Sequence, residues 1–95
     1  MIALEKEYIS TMKHFGFVNQ LHKLSEEMDE VHDALTNCLL KTDNHKEELI
    51  QEAADVINVL LQFVYLYGGS AEEVLSECVS KMHRTKVRIS EGFYD

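Results

Sequence analysis

From Leu21 to Cys38 apolar side chains recur at Leu21, Leu24, Met28, Val31, Leu35 and Cys38, with spacings of three and four residues in alternation. That rhythm puts one apolar stripe along an α-helix of about six turns and does not suit the two-residue alternation of a strand. The helix is expected from near Val18 to Lys41. Thr42, Asp43 and Asn44 then supply turn and N-cap chemistry, and a second helical pattern runs from close to Lys46 to Tyr67. Gly68 and Gly69 follow, as a left-handed C-cap requires. Ser70 and Glu73 have capping-box spacing, which starts another helix from about Ala71 to Ile89 with Val74, Leu75, Cys78, Met82 and Ile89 as its core face. A weaker pattern through Ile2, Leu4, Tyr8, Ile9, Met12 and Phe15 adds a short helix before Gly16. With no proline and four glycines in 95 residues, the chain lacks the punctuation of a many-turned β protein. The fold class is therefore all-α, a four-helix-type bundle forming one domain over residues 1–95.

A domain of this size buries only roughly 60 to 65% of its unfolded surface, so completion of the bundle by oligomerisation is expected. Seventeen acids against nine Lys and Arg give a net charge of −8, which disfavours a nucleic-acid backbone as ligand. A phosphate-bearing ligand has to be met locally, by a bound cation or a small basic cluster. The opening MIALEKEYIS does not read as a signal peptide, and the longest apolar run, Val56 to Tyr67, is broken by Asn58 and Gln62 and is short for a bilayer span. A cytoplasmic protein without a membrane partner is expected. Cys38 and Cys78 have no metal-ligand spacing and are expected to be reduced core residues.

Two acidic clusters stand out. In Glu26-Glu27-Met28-Asp29-Glu30, Glu27 and Glu30 lie one turn apart and can address one object, while Glu26 neighbours Glu30 at i, i+4. Taken alone, this cluster reads as a solvated helix face. Glu52-Ala53-Ala54-Asp55 repeats the i, i+3 spacing, and Asp55 is the only charged residue between Ala53 and Ala71. On a helix apolar on most sides, an isolated carboxylate is costly unless a positive group accompanies it. Two antiparallel helices carrying such pairs offer four carboxylates around one point, an arrangement that mutual repulsion makes unstable without a cation. Oxygen ligands with no His or Cys nearby select Mg²⁺ or Mn²⁺, and Mg²⁺ so bound usually takes substrate phosphates as further ligands. A di-iron site needs Glu-x-x-His on two helices and finds at most Asp29 with His32. Lys81, Arg84 and Arg88 share one face of the last helix, where they can hold phosphates or simply complement the helix C-terminus.

With both acid pairs present, the chain resembles the all-α nucleoside triphosphate pyrophosphohydrolases, MazG-like proteins whose shared pattern is EExxE followed by ExxD. The wider phrases KLSEEMDEVHDAL and EELIQEAADVINVLLQF carry the resemblance, with KMHRTKVR downstream, over about Gly16 to Arg88. It implies Mg²⁺-dependent hydrolysis of a nucleoside triphosphate substrate to the monophosphate and pyrophosphate. Glu27, Glu30, Glu52 and Asp55 would then hold the metal, with Glu26 assisting a second metal or the attacking water. Lys81, Arg84 and Arg88 would steady phosphates, and Asn58 would orient a phosphate, sugar or base. Family branches that stack the base on Trp have no counterpart here, so Phe15, His14 or Tyr8 would have to serve. The short chain fits homodimeric or homotetrameric branches, and phosphoribosyl-ATP remains an alternative substrate. The rival from another class is a non-catalytic helical interaction module with surface acids.

Overall fold

The computed structural model describes residues 4–40 and 45–92 as four helices, α1 (Glu5–Phe15), α2 (Phe17–Leu40), α3 (Lys46–Leu66) and α4 (Ala71–Ser90), with no strand among the described residues. Ile2 of the weaker apolar pattern, the expected helix end at Lys41 and the Thr42-Asp43-Asn44 cap lie outside the described residues; the residue preceding α3 is His45, whose side chain makes no cap bond. Gly16 separates α1 from α2 at a φ of +86°, a region that costs a Cβ-bearing residue strain. Gly68 ends α3 at +88°, and Gly69 returns its amide to the Val64 carbonyl at 2.9 Å. Ser70 caps α4 as expected, accepting from the Glu73 amide at 3.1 Å. The reciprocal half of the box differs, since the Ser70 hydroxyl donates to the Glu73 carboxylate at 3.3 Å.

Contacts along α2 and α3 fix their relative direction. The Gln20–Gln62 hydrogen bond lies near one end, the four acids in the middle and the Cys38–His45 carbonyl contact at the other, so advancing along α2 retreats along α3. The pair is antiparallel. Helix α1 closes over α3 through Tyr8, whose hydroxyl donates to Asn58 Oδ1 at 2.7 Å and whose ring stacks on Tyr65 at 5.6 Å. Helix α4 packs only on α3 among the described residues and buries none of its own side chains.

The buried set departs from the apolar pattern. Met12, Ala34 and Val59 are buried, but so are Gln20, Glu27 and Gln62. On α2 the inward positions are Gln20, Glu27 and Ala34, one residue behind Leu21, Met28 and Leu35, which are 58%, 53% and 45% exposed. Half of the expected core stripe, Leu21, Met28 and Leu35, is thus turned outward, while Leu24, Val31 and Cys38 stay half-buried, because α2 turns its site-bearing face inward. The expected α4 core face is likewise exposed or nearly so, Leu75 and Met82 among it. Cys38 and Cys78 are free thiols, yet Cys38 is half-buried and Cys78 exposed rather than in the core. Helix α3 as a whole is long and apolar enough to cross a membrane by length and composition, unlike the shorter run read from sequence. It nonetheless carries Glu52 and Asp55 and packs against α1 and α2. A radius of gyration of 16.3 Å exceeds the roughly 12 Å of a compact domain this long, consistent with α4 standing off the other three helices.

Candidate metal centre and adjoining cavity

Helical spacing puts Glu27 and Glu30 one turn apart on α2, and Glu52 and Asp55 one turn apart on α3. The antiparallel packing brings the two pairs together, so that one carboxylate oxygen from each of the four lies within 4.8 Å of the others. Glu27 is buried, Glu52 half-buried, and Glu30 and Asp55 exposed. Asp55 therefore does not sit in an apolar interior, as the hydrophobicity of its helix suggested. It stands at the rim, where α2 and α3 leave an opening.

Electrostatics give the cluster its character. Lys23 donates to Glu27 Oε1 at 2.9 Å from the previous turn, and that hydrogen bond is the main reason the lysine pKa is raised. The second oxygen of Glu27 is buried without a hydrogen-bond partner, and so is Oε2 of Glu52. A buried, unpaired carboxylate oxygen costs about 1–3 kcal/mol, so two of them on residues of one acid cluster call for a shared cation. The Glu30 carboxyl is pushed above its ordinary range, first by the charge of Glu27 and then by the adjoining Glu52 carboxyl. Repulsion within the cluster outweighs the single ammonium that Lys23 contributes. Hard oxygen donors of this number and spacing fit a divalent cation that retains waters.

Beside the acids opens a cavity of about 580 Å³ between α1, α2 and α3. Glu26, Glu27 and Asp55 border one part of it, with Lys23 next to them. Phe15, Gln20, Asn58 and Gln62 line it further along. Of the three aromatic candidates for stacking, only Phe15 reaches the cavity; His14 packs edge-on against Phe15 at 4.6 Å, and Tyr8 is engaged with Tyr65 and Asn58. Lys81, Arg84 and Arg88 are exposed on α4 and do not line this cavity; Lys81 borders a separate groove between α3 and α4.

Sequence reasoning overlooked Lys23, Gln20 and Gln62 as site residues. The signal for Lys23 was its i, i+4 position before Glu27. Gln62 was visible as a polar break in an apolar run, but nothing local shows that Gln20 meets it from another helix.

Four convergent carboxylates on two antiparallel helices, opening on a cavity, define a helical protein with a candidate divalent-metal centre. A family model of the MazG nucleotide pyrophosphohydrolase domain matches residues 15–88, and the chain belongs to that family. That span contains both acid pairs and the basic face of α4. No curated protein and no solved structure matches the chain.

Proposed function

We propose that the protein is a Mg²⁺-dependent nucleoside triphosphate pyrophosphohydrolase, with Mn²⁺ as a substitute, that clears unwanted nucleotides from the cytoplasmic pool. The observation that carries this reading is the convergence of Glu27, Glu30, Glu52 and Asp55, of which Glu27 and Glu52 each also have a buried oxygen without a partner. An interaction module would be the better account if Glu27 and Asp55 pointed to separate surfaces, and their carboxylates converge.

Held by these four residues, a divalent cation supplies neutralisation of phosphate oxygens and a more acidic bound water. Glu26, exposed on the cavity wall beside Glu27, suits the role of accepting a proton from water that attacks the α-phosphorus. Pyrophosphate departs opposite the attacking oxygen, leaving the nucleoside monophosphate. Lys23 can meet a phosphate oxygen from the same wall. Lys81, Arg84 and Arg88 serve the phosphate chain from the α4 of a neighbouring copy, in a homodimer or homotetramer. Support for this arrangement is that α4 buries nothing within its own chain and that Leu21, Met28, Leu75 and Met82 are left exposed. The net charge of −8 favours a small metal-bound nucleotide over a polynucleotide.

The deciding experiment incubates the protein with each nucleoside triphosphate, and with phosphoribosyl-ATP, in the presence of Mg²⁺ and measures pyrophosphate. Release that ceases in Asp55→Asn supports the reading. No release from any of these compounds sinks it and leaves the exposed apolar faces as the working surface of an interaction module.

A further inference from the structure

We propose that Lys23 exchanges partners as the site fills: without metal its ammonium occupies Glu27, and when the acids take up a divalent cation it leaves Glu27 for a phosphate in the cavity, so that cation and phosphate bind cooperatively. The phosphate half of this inference rests on the nucleotide reading above; the metal half stands without it.

Lys23 Nζ lies 2.9 Å from Glu27 Oε1, and the two side chains differ in exposure, 52% for Lys23 against 6% for Glu27. The carboxylate is held by its surroundings, and the ammonium is the partner free to move. A lysine four residues before a glutamate is the less favourable order for supporting a helix through such a pair, so helix support is a poor account of the contact. Charge compensation is a better one. Glu27 is the most buried of the four convergent acids. The Lys23 pKa is raised chiefly by the hydrogen bond to Glu27 and by its charge, and Glu26 and Glu30 add to the effect. In the metal-free protein Lys23 thus serves as a counter-ion to the cluster.

A divalent cation among the same acids cancels the charge that attracts Lys23 and repels the ammonium at close range. The half-exposed ion pair is weak enough to give way. Lys23 borders the cavity of about 580 Å³ together with Glu26, Glu27 and Asp55, and its flexible stem gives the ammonium room to turn there. A phosphate ligated to the cation on the cavity side meets the same ammonium, which has three donors to offer. Because phosphate holds Lys23 away from Glu27, it strengthens cation binding by the factor by which the cation strengthens phosphate binding.

The test measures two affinities on the full chain, with no nucleotide present: Mn²⁺ alone, by the loss of its free-ion electron paramagnetic resonance signal, and inorganic pyrophosphate at a fixed free Mg²⁺ concentration, by calorimetry. Lys23→Met should bind Mn²⁺ about three- to fivefold more tightly, since the cation no longer displaces an ammonium. The same variant should bind pyrophosphate about tenfold more weakly, having lost a charge-assisted hydrogen bond. Lys23→Arg, which keeps the charge, should stay near wild type in both. Opposite shifts separate an exchange from a structural role, which would weaken both affinities or neither. Lys23→Gln makes the same comparison should Lys23→Met fail to fold. Mn²⁺ binding that is unchanged or weaker without the ammonium, or pyrophosphate binding that the substitution leaves unaltered, overturns the proposal. Opposite shifts in a protein that releases pyrophosphate from no nucleotide would instead refute the enzymatic reading and leave the exchange standing.

Discussion

Replacing Glu27 with Gln tests the electrostatic account of the acid cluster without using turnover. In the metal-free protein the substitution keeps the shape of the side chain and removes a charge that is 95% shielded from solvent, given its 5% exposure. Three contributions decide the outcome. Desolvation of the unpartnered Oε2 costs about 1–3 kcal/mol in the wild type, and this penalty falls for a neutral amide. A like charge within 4.8 Å adds roughly 1 kcal/mol even with water-like screening. Against these stands the loss of the Lys23 ion pair, worth at most about 1 kcal/mol because Lys23 is half exposed. The balance stabilises the metal-free variant by roughly 1–3 kcal/mol. For a domain of this length each kcal/mol moves Tm by about 4–8 °C. Thermal unfolding at fixed protein concentration, with chelator and then with excess Mn²⁺, provides the assay. Wild type should gain on the order of 2.7 kcal/mol at metal concentrations a hundredfold above Kd, whereas Glu27→Gln should start higher and gain little. A variant that melts below wild type in chelator and still shifts upward with metal would falsify the assignment.

The pH dependence of metal-free stability follows from Glu30. Its pKa is raised in the fold, so the folded chain holds more protons than the unfolded one just above the ordinary glutamate range, and stability should fall as pH rises through that window. Urea titrations with chelator at low ionic strength should show this slope, and saturating Mg²⁺ should remove it; a stability that climbs over the same window contradicts the repulsion argument. At the buried amides, Gln20→Leu or Gln62→Leu alone should cost about 1–3 kcal/mol by orphaning the partner, and the double variant close to nothing, as a denaturation cycle would read. Additive losses would show that the 2.6 Å bond does not couple them. Ser70→Ala should destabilise by about 1 kcal/mol through loss of the bond to the Glu73 amide, and an unchanged denaturation midpoint would count against that cap.

How much of this was readable in advance depends on the range of the interaction involved. Helix identity was legible because spacings of three and four, Gly68 after an apolar run and Ser70 before Glu73 are local signals that short-range geometry enforces. The membership of the acid site was legible for the same reason: Glu27 with Glu30, and Glu52 with Asp55, need only one helical turn to share a direction.

Burial was not legible, because an apolar stripe announces that a surface will be covered without saying by what. The periodicity of α2 pointed inward at Leu21, Met28 and Leu35, but the face turned to α3 carries Gln20, Glu27 and Ala34. The same limit explains Asp55, expected in an apolar interior and found at an open rim, and the apolar face of α4, whose Leu75 and Met82 stay exposed. Sequence alone determined the helices and which carboxylates could act together. Tertiary structure decided that the two pairs meet and that Gln20 joins Gln62 beside the acids. The physical reason is that a helix sets angular relations among its own residues, whereas the partner for each face is chosen by packing between segments dozens of residues apart.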